Sequence, residues 1–438
     1  MKTLKARKHL SAGSLLASVR KRLEKIKDPL LDKTNYPLTD CLMSALAMFG
    51  LKYRSLLQFE EHYLGNKQIR HNLKTLYGVE QVASDTYMRE RLDEVEPGQL
   101  RSAFKACLSA IQRGKQLPLF EFLDGHYLVS SDGTGFFHSN SIHCDNCCEK
   151  SHKDGSKSYY HQMMCAVMVH PSQSIVLPLM LEPILKQDGG TKNDCERNSS
   201  KRLLSTLRRM HPQLKMMIVE DALHSNGPHI KTLESLDYTY IIGIKPEGNK
   251  ALFDWVKGSA CPSRTVHREG YTYELSWMNN VPLNDSHPDI LVNFFECIET
   301  SPKGKKQTFT WVTNFVITEE TIYELMRGAR SRWKIENETF NTLKTQGYHF
   351  EHNFGHGYKN LSSIMGYLMM LAFLVDQIQQ LCCPQFQAAL KKCKRRIRLW
   401  EKMRNWFLTF FIDSWETFFL AIATPPELAL GVGGIDSG

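Results

Sequence analysis

The chain has 438 residues, with 55 basic and 46 acidic side chains and a formal charge of +9. At about 150 residues per domain, this length predicts two or three domains. Hydrophobic residues at 42% and charged residues at 23% exclude a largely disordered chain, a collagen-like chain and a small disulfide scaffold. The mild positive charge permits a nucleic-acid partner without requiring one.

Met1–Lys27 is basic and lacks a long apolar core, so it does not read as a signal peptide. Twelve cysteines without such a signal predict reduced thiols and a cytoplasmic protein. Within 1–27, Lys2, Lys5, Arg7, Lys8, Arg20, Lys21, Arg22, Lys25 and Lys27 stand against Glu24 alone. Thr39 and Asp40 are candidate caps for a helix that Gly50 ends. A later helix starts near Pro97, with Leu100, Phe104, Leu108 and Ile111 at helical spacing. No strand pattern interrupts this region, so 1–120 reads as a helical domain.

The pattern then changes. Tyr127–Ser131 is a short apolar run ending in Asp132-Gly133-Thr134-Gly135. His161–His170 and Ile175–Leu181 are two further strand-like runs. A helix follows, opened by Asn193 with Glu196 three residues on, a capping-box pattern. Met216–Val219 is a fourth strand, stopped by Glu220-Asp221. After a helix from about Pro228 to Leu236, Tyr238–Ile244 is the fifth. Three strands before the first helix argue against a doubly wound nucleotide fold. The order β-β-β-α-β-α-β occupies 121–245. Residues 246–318 read as a mostly β insertion, with strand-like Ile290–Cys297 and Thr308–Val316 and a turn at Lys303-Gly304-Lys305-Lys306. Helices return over 319–385, and Ile364–Val375, too short an apolar run to cross a membrane, predicts a buried core helix. Residues 386–438 are basic, aromatic and helical.

Three acids carry the chemistry. Asp132 ends the first apolar strand and Asp221 the fourth, at a sheet edge where a crevice forms. Gly133 and Gly135 allow a sharp turn there. Ile322, Met326, Ala329, Trp333, Phe340 and Leu343 recur at spacings of four and three, with a gap at Glu336. That stripe predicts a core-facing helix side, where a carboxylate needs a partner or a metal. Glu338, about 200° around the helix, is the solvated acid. Arg332, one turn before Glu336, flanks the same crevice. Three hard oxygen donors suit Mg²⁺ or Mn²⁺. Two such ions about 4 Å apart clamp the attacking and leaving oxygens of a phosphoryl transfer. The plainer reading makes Asp132 and Asp221 turn residues and Glu336 an ion-pair partner of Arg332.

At this point the chain resembles a DDE transposase of bacterial insertion sequences, of the cut-and-paste type with a β-rich insertion. The resemblance rests on Ser131-Asp132-Gly133-Thr134, Val219-Glu220-Asp221-Ala222-Leu223 and Arg332-Trp333-Lys334-Ile335-Glu336. It implies a mixed α/β fold: a ribonuclease H-like core with an inserted, mostly β domain and an N-terminal helical DNA-binding domain. It further implies that Asp132, Asp221 and Glu336 are the metal-binding triad. Asp132 would bridge two Mg²⁺ or Mn²⁺ ions, and Asp221 and Glu336 would hold one each. Water would then cut the phosphodiester at each element end, and the freed 3′-OH would attack target DNA. Arg332 and Lys344 would contact phosphate. The family's last helix often carries a Tyr-Arg-Glu-Lys signature. Arg332 and Glu336 match it, the Tyr position falls on Ala329, and the Lys position falls on Leu343, with Lys344 one residue late. Some relatives stabilise a flipped base on a Trp of the insertion, for which Trp277 and Trp311 are the candidates. The implied partners are terminal inverted repeats and target DNA, bound by a homodimer on paired ends, with no membrane. The alternatives are a metal-dependent nuclease without strand transfer, and a DNA-binding protein that has lost catalysis.

Other constellations remain. Cys144, Cys147 and Cys148, with His152 and His161 nearby, form a soft-ligand cluster that reads either as a structural Zn²⁺ site or as an ordinary reduced loop. The loop Asp188–Asp194 precedes a helix N-terminus, where a plain cap or a phosphate fits. Lys245 ends the fifth strand and reads as a DNA contact or a solvated side chain. Glu351-His352-Asn353-Phe354-Gly355-His356-Gly357 reads as a turn or a DNA contact in preference to a metal site. Lys391, Lys392, Lys394, Arg395, Arg396 and Arg398 precede Trp400 and Trp406, a mixture that suits nucleic acid or a solvated helix face. The basic residues therefore concentrate at the two ends of the chain, and the middle, which holds the three acids, is slightly acidic.

Overall fold

The computed structural model describes residues 10–28, 30, 36–186 and 195–425. The basic residues Lys2, Lys5, Arg7 and Lys8, the loop Asp188–Asp194 with its capping residue Asn193, and the tail from Gly431 lie outside the described residues.

Six helices come first: α1 (Ala12–Leu23), α2 (Leu38–Gly50), α3 (Leu56–Tyr63), α4 (Lys67–Tyr77), α5 (Asp85–Asp93) and α6 (Arg101–Arg113). Side chains of Ser11, Ser55, Asn66 and Ser84 cap four of them, satisfying amides that a helix start leaves unpaired. Leu100, Phe104, Leu108 and Ile111 are all buried, as their spacing predicts. Asp40 differs from expectation. It sits inside α2, which starts after Pro37 with no side-chain cap. Its buried carboxylate instead pairs with Arg20 at 2.9 Å and accepts the Gln81 amide at 2.8 Å. An acid one turn into a helix can face the core when a cation on a neighbouring helix meets it.

The sheet contains β1 (Glu121–Phe122), β2 (His126–Ser139), β3 (Cys148–Ser151), β4 (Lys157–Met168) and β5 (Leu177–Ile184). After α7 (Glu196–Met210) come β6 (Met216–Glu220), α8 (Gly227–Ser235) and β7 (Thr239–Gly243). Strands β2, β6 and β7 run parallel, and β4 is antiparallel to both β2 and β5. The core order is thus β5-β4-β2-β6-β7. Helix α9 (Lys250–Lys257) leads into β8 (Ser263–Arg268), β9 (Tyr271–Asn284), β10 (His287–Thr300) and β11 (Lys306–Thr313). These four strands continue the core sheet, because β11 pairs with β7 through Trp311↔Gly243, Val312↔Ile242 and Thr313↔Ile241.

The last helices are α10 (Ile322–Arg330), α11 (Asn341–Thr345), α12 (Leu361–Cys382), α13 (Pro384–Cys393), α14 (Arg396–Thr409) and α15 (Trp415–Ala423). Helix α12 is long and apolar enough to cross a membrane by length and composition, yet 89% of its most apolar window is buried in the protein. It packs against β5 and against α2, α5 and α6. Gly366 lets it approach β4 closely, since a Cβ there would meet Met163 Cε at 2.6 Å. Lys52 crosses from the front helices to Asp376 of α12 at 2.6 Å, between the rings of Tyr348 and Trp400. Burial lowers the pKa of that lysine, and Asp376 pulls it back up. Front, central and C-terminal helices therefore share one core.

Candidate active site

The register of two strands brings the first two acids together. Strand β2 pairs with β6 through Ser130↔Val219, the last paired position. Asp132 and Asp221 each lie two residues further on, Asp132 still within β2 and Asp221 just past the end of β6, at the mouth of two neighbouring strands about 4.8 Å apart. Asp132 does not end β2, as expected from the sequence. The strand runs on to Ser139, with Asp132 opposite Cys165 of β4. It ends only the parallel pairing, and that is what opens the crevice. Gly133 and Gly135 make no turn, and neither has a positive φ. Gly133 provides room, because a Cβ there would run into the Glu196 carboxylate of α7.

Side chains alternate across a strand. Ser130 and Asp132 therefore share one face, and the Ser130 hydroxyl donates to the Arg332 carbonyl at 3.2 Å. This places the segment after α10 directly over the two aspartates. The segment is not the single regular helix that the stripe predicts. Helix α10 ends at Arg330, Ser331 and Arg332 form a tight turn, and Ile335–Phe340 is π-helical. Ile322, Met326 and Ala329 are buried as expected, but Trp333 is 48% exposed and Ile335 takes its place in the core. Glu336 consequently looks across the crevice mouth, with its side chain 36% exposed, and does not point into the interior.

Arg332 joins the parts. Its guanidinium lies 3.2 Å from Asp132 Oδ2 and 2.9 Å from Glu336 Oε1. Burial pushes the Asp132 carboxyl up to about 7; Arg332 and the Gly133 amide pull against this, while the Glu336 and Asp221 carboxylates push the same way. Asp221 itself is exposed, and its Oδ1 accepts the Leu223 amide at 3.0 Å. Three converging carboxylates, two of which disfavour the charge of Asp132, with a guanidinium spanning two of the three, are a set of hard donors suited to a small divalent cation.

The π-helical stretch also bears on Lys344. In a regular helix eight residues would turn Lys344 about 80° away from Glu336, and the one extra residue that a π turn absorbs brings it back to within about 20°. Leu343, the position that the signature names, is fully buried. Lys344 pairs with Glu351 at 2.8 Å and lines an open cleft with Gly135, His138 and Gln162.

The remaining expectations divide. Lys245 is exposed just past β7. Lys391, Lys392, Lys394, Arg395 and Arg398 are exposed around the α13–α14 corner, and Arg396 is half-buried against Gln380 Oε1 at 3.1 Å. Trp400 beside them is a core residue, buried to 3% and donating to the Gln346 carbonyl. Trp277 and Trp311 are also buried, and Trp311 stacks 5.1 Å from Phe295 and 5.9 Å from Phe309. They pack the sheet and present no free face to a base. Of the soft-ligand residues, Cys144 and Cys147 come together, but Cys148 points to the Ile184 carbonyl and His152 to the Ser158 hydroxyl. His161, already near them in sequence, joins the two sulfurs, and His356 completes the group. His356 comes from the Glu351–Gly357 segment, which the sequence reads as a turn or a DNA contact.

No sequence pattern singles out the buried network behind Asp221. Glu220 has no exposed surface on its side chain, and its Oε2 lies 2.6 Å from His229 Nε2. Burial would raise its pKa, but the charges of His224 and His229 and the hydrogen bond from His229 pull it down to about 2. The last residue of β6 is thus pinned while the next residue, Asp221, is exposed. Only alternation along β6 could have placed Glu220 opposite the crevice, and no local pattern marks its two histidines.

A core of strands β5-β4-β2-β6-β7, with one acid on β2, a second just past β6 and a third on the helical segment that follows β8–β11, defines a DNA-processing enzyme of the ribonuclease H-like class. The chain belongs to the transposase DDE domain family, whose model matches residues 139–374. Asp221 and Glu336 lie inside the matched segment, and Asp132 lies seven residues before it. No curated protein matches the chain.

Proposed function

We propose that this transposase cuts phosphodiesters at the ends of a DNA element and joins the freed 3′-OH ends to target DNA. Asp132, Asp221 and Glu336 are the residues assigned to divalent ions, Mg²⁺ or Mn²⁺, two per site. The observation that carries this reading is the convergence of three carboxylates from β2, β6 and the π-helical segment on one crevice. Ions held there supply Lewis-acid stabilisation of the reacting phosphate and ease deprotonation of the nucleophile.

The chain's own groups do the rest. Arg332 moves from the carboxylates to a phosphate oxygen once they are otherwise neutralised, and Lys344 positions the strand beside the cut. The Glu220–His229 pair holds the end of β6 so that Asp221 keeps its place. Lys245 and the corner residues Lys391, Lys392, Arg395 and Arg396 hold the duplex away from the crevice. In domain terms, 1–120 binds element ends, 121–245 and 319–385 form the catalytic core, 246–318 is the insertion, and 386–438 adds a basic surface. Paired ends call for two active sites, hence a homodimer acting on DNA in the cytoplasm.

The test is a cleavage and strand-joining assay with Mg²⁺ on DNA carrying the element's terminal repeats. Asp132→Asn, Asp221→Asn and Glu336→Gln should each abolish both steps and leave DNA binding intact. Full activity in the Glu336 variant would remove that residue from the site. Cleavage without joining would favour a nuclease.

A further inference from the structure

We propose that Cys144, Cys147, His161 and His356 bind one Zn²⁺ ion that ties the strand of the first acid to the segment following the third. The four ligand atoms all lie within 4.8 Å of one another. The sulfurs of Cys144 and Cys147 are 3.8 Å apart, too far for a disulfide. His161 Nε2 lies 3.4 Å from Cys144 Sγ and 3.3 Å from Cys147 Sγ, and His356 Nε2 lies 3.3 Å from Cys147 Sγ. Tetrahedral zinc with Zn–S near 2.3 Å and Zn–N near 2.0–2.1 Å separates its ligands by about 3.8 Å for S···S and about 3.5 Å for S···N. The observed spacing matches that geometry.

Hydrogen bonding alone accounts for these contacts poorly. Cys147 Sγ touches three polar side-chain atoms, and a thiol has one proton to donate. It also accepts the Cys144 amide at 3.4 Å, which suits a thiolate. All four residues are at most 7% exposed, so the cluster is shielded from bulk solvent. A cation among them gives all four ligand atoms, two sulfurs and two Nε2 nitrogens, a common partner. Two thiolates and two imidazoles select zinc over the hard cations that suit the carboxylate crevice.

The backbone is shaped for the same purpose. His356 sits between Gly355, at φ +126°, and Gly357, at φ +66°. Both conformations are ones that side-chain-bearing residues avoid. A Cβ on Gly357 would collide with the Asp93 carboxylate. That carboxylate in turn accepts the amides of Tyr358, Lys359, Asn360 and Leu361 at 2.8–3.0 Å. Asn146, between the two cysteines, donates to the Lys359 carbonyl at 2.7 Å. The rings of His161 and His356 lie against Phe136 and Phe137. Their Nδ1 atoms have no protein partner, so packing aims each Nε2 at the sulfurs.

The consequence is a cross-link between distant pieces of chain. Cys144 and Cys147 follow β2, the strand of Asp132, and His161 lies on β4, paired with Phe137 of β2. His356 follows α11, the continuation of the helix that carries Glu336. Four ligands complete a tetrahedron and leave no open position, which is the mark of a structural site. The ion therefore holds the crevice walls in register and takes no part in the cut.

Purified full-length protein, expressed in zinc-supplemented medium, should contain one zinc per chain by elemental analysis. Exchange into Co²⁺ should give the absorption of a tetrahedral thiolate complex. Cys147→Ser and His356→Gln should bring zinc to near zero and lower the unfolding temperature, whereas Cys148→Ser and His152→Ala should keep the full metal content. A wild-type protein with near-zero zinc and no tetrahedral cobalt spectrum would overturn the site, even if the ligand variants failed to fold. Full zinc in the His356 variant, or its loss in the Cys148 variant, would overturn this ligand set. None of these readouts depends on DNA cleavage.

Discussion

The carboxylate crevice and the cysteine–histidine cluster are both suited to metal ions, and they differ in almost every physical respect. The carboxylate crevice is hard, charged and open, with Asp221 exposed and Glu336 half-exposed at its mouth. The cysteine–histidine cluster is soft, buried on all sides and closed. An open site leaves positions for substrate oxygens, and a closed one leaves none. On the proposed roles, the first lets a cation meet DNA and the second holds backbone in place. The contrast yields opposite expectations: changes in the crevice should cost activity with little stability, and changes in the closed cluster the reverse.

The strongest way to break this contrast is to read both quantities on both sites. Asp221→Asn should lower cleavage by about 10²-fold or more, the scale of losing one charge-stabilising group at a reacting centre. Its unfolding temperature without metal should stay near that of the unaltered protein, because Asp221 is solvated. Cys147→Ser should lower the unfolding temperature well beyond that. If Asp221→Asn proves the less stable of the two, the assignment of roles fails.

How far the sequence foretold these sites follows from how local their signals are. The core strands were legible as apolar runs, Asp221 as the residue that stops one of them, and Asp132 only as the end of an apolar run, since its strand continues to Ser139. Glu336 was legible from a stripe, but for a reason the structure changes. A tight turn at Ser331–Arg332 and the π-helical segment shift the register, so Trp333 leaves the core and Glu336 faces the crevice. A tally at 3.6 residues per turn does not register one extra residue in a turn. Three members of the soft cluster, Cys144, Cys147 and His161, were legible from their nearness in sequence. His356 lies more than 200 residues after Cys147 and is brought in by the fold, and no periodicity marks it. Cys148 and His152 were chosen by nearness in sequence, but their side chains bond elsewhere.

The Glu220 network sharpens the comparison, since it is buried like the soft cluster and adjacent in sequence to the open one. His229→Ala would leave the Glu220 carboxylate in the interior without its closest partner. Breaking a buried pair in this way costs about 3–5 kcal/mol, measurable by urea unfolding. Pairing it with Glu220→Gln should recover much of the loss. A single-variant cost below about 1 kcal/mol would show that Glu220 is not held as an ion.

Smaller effects belong to the DNA-facing side of the crevice. Lys344→Ala should weaken binding of element-end DNA, and the slope of log affinity against log salt should fall by about one counterion. Leu343→Ala should leave that slope unchanged and destabilise the protein, because Leu343 is buried. If the two variants exchanged these effects, Lys344 would not share the face of Glu336.

The last effect is the smallest, and it decides whether acid can be used to tell the clusters apart. Lowering the pH protonates imidazoles and thiolates and so releases a soft-site metal. His211, at the end of α7, adds an acid response of its own. Burial, with Lys105 nearby, pushes its pKa down to about 4, and its Nε2 is buried without a partner. A ring kept neutral in the folded state and free to protonate at about 6.5 when unfolded contributes stability that is complete above that pH. The contribution is lost as the pH falls from 6.5 toward 4. His211→Gln should therefore flatten part of the acid limb of stability in the unaltered protein and in the Cys147→Ser variant alike. The acid sensitivity that remains in the first and is missing from the second then belongs to the cysteine–histidine cluster. Equal residual limbs in the two backgrounds would mean that the closed cluster contributes nothing to stability above pH 4.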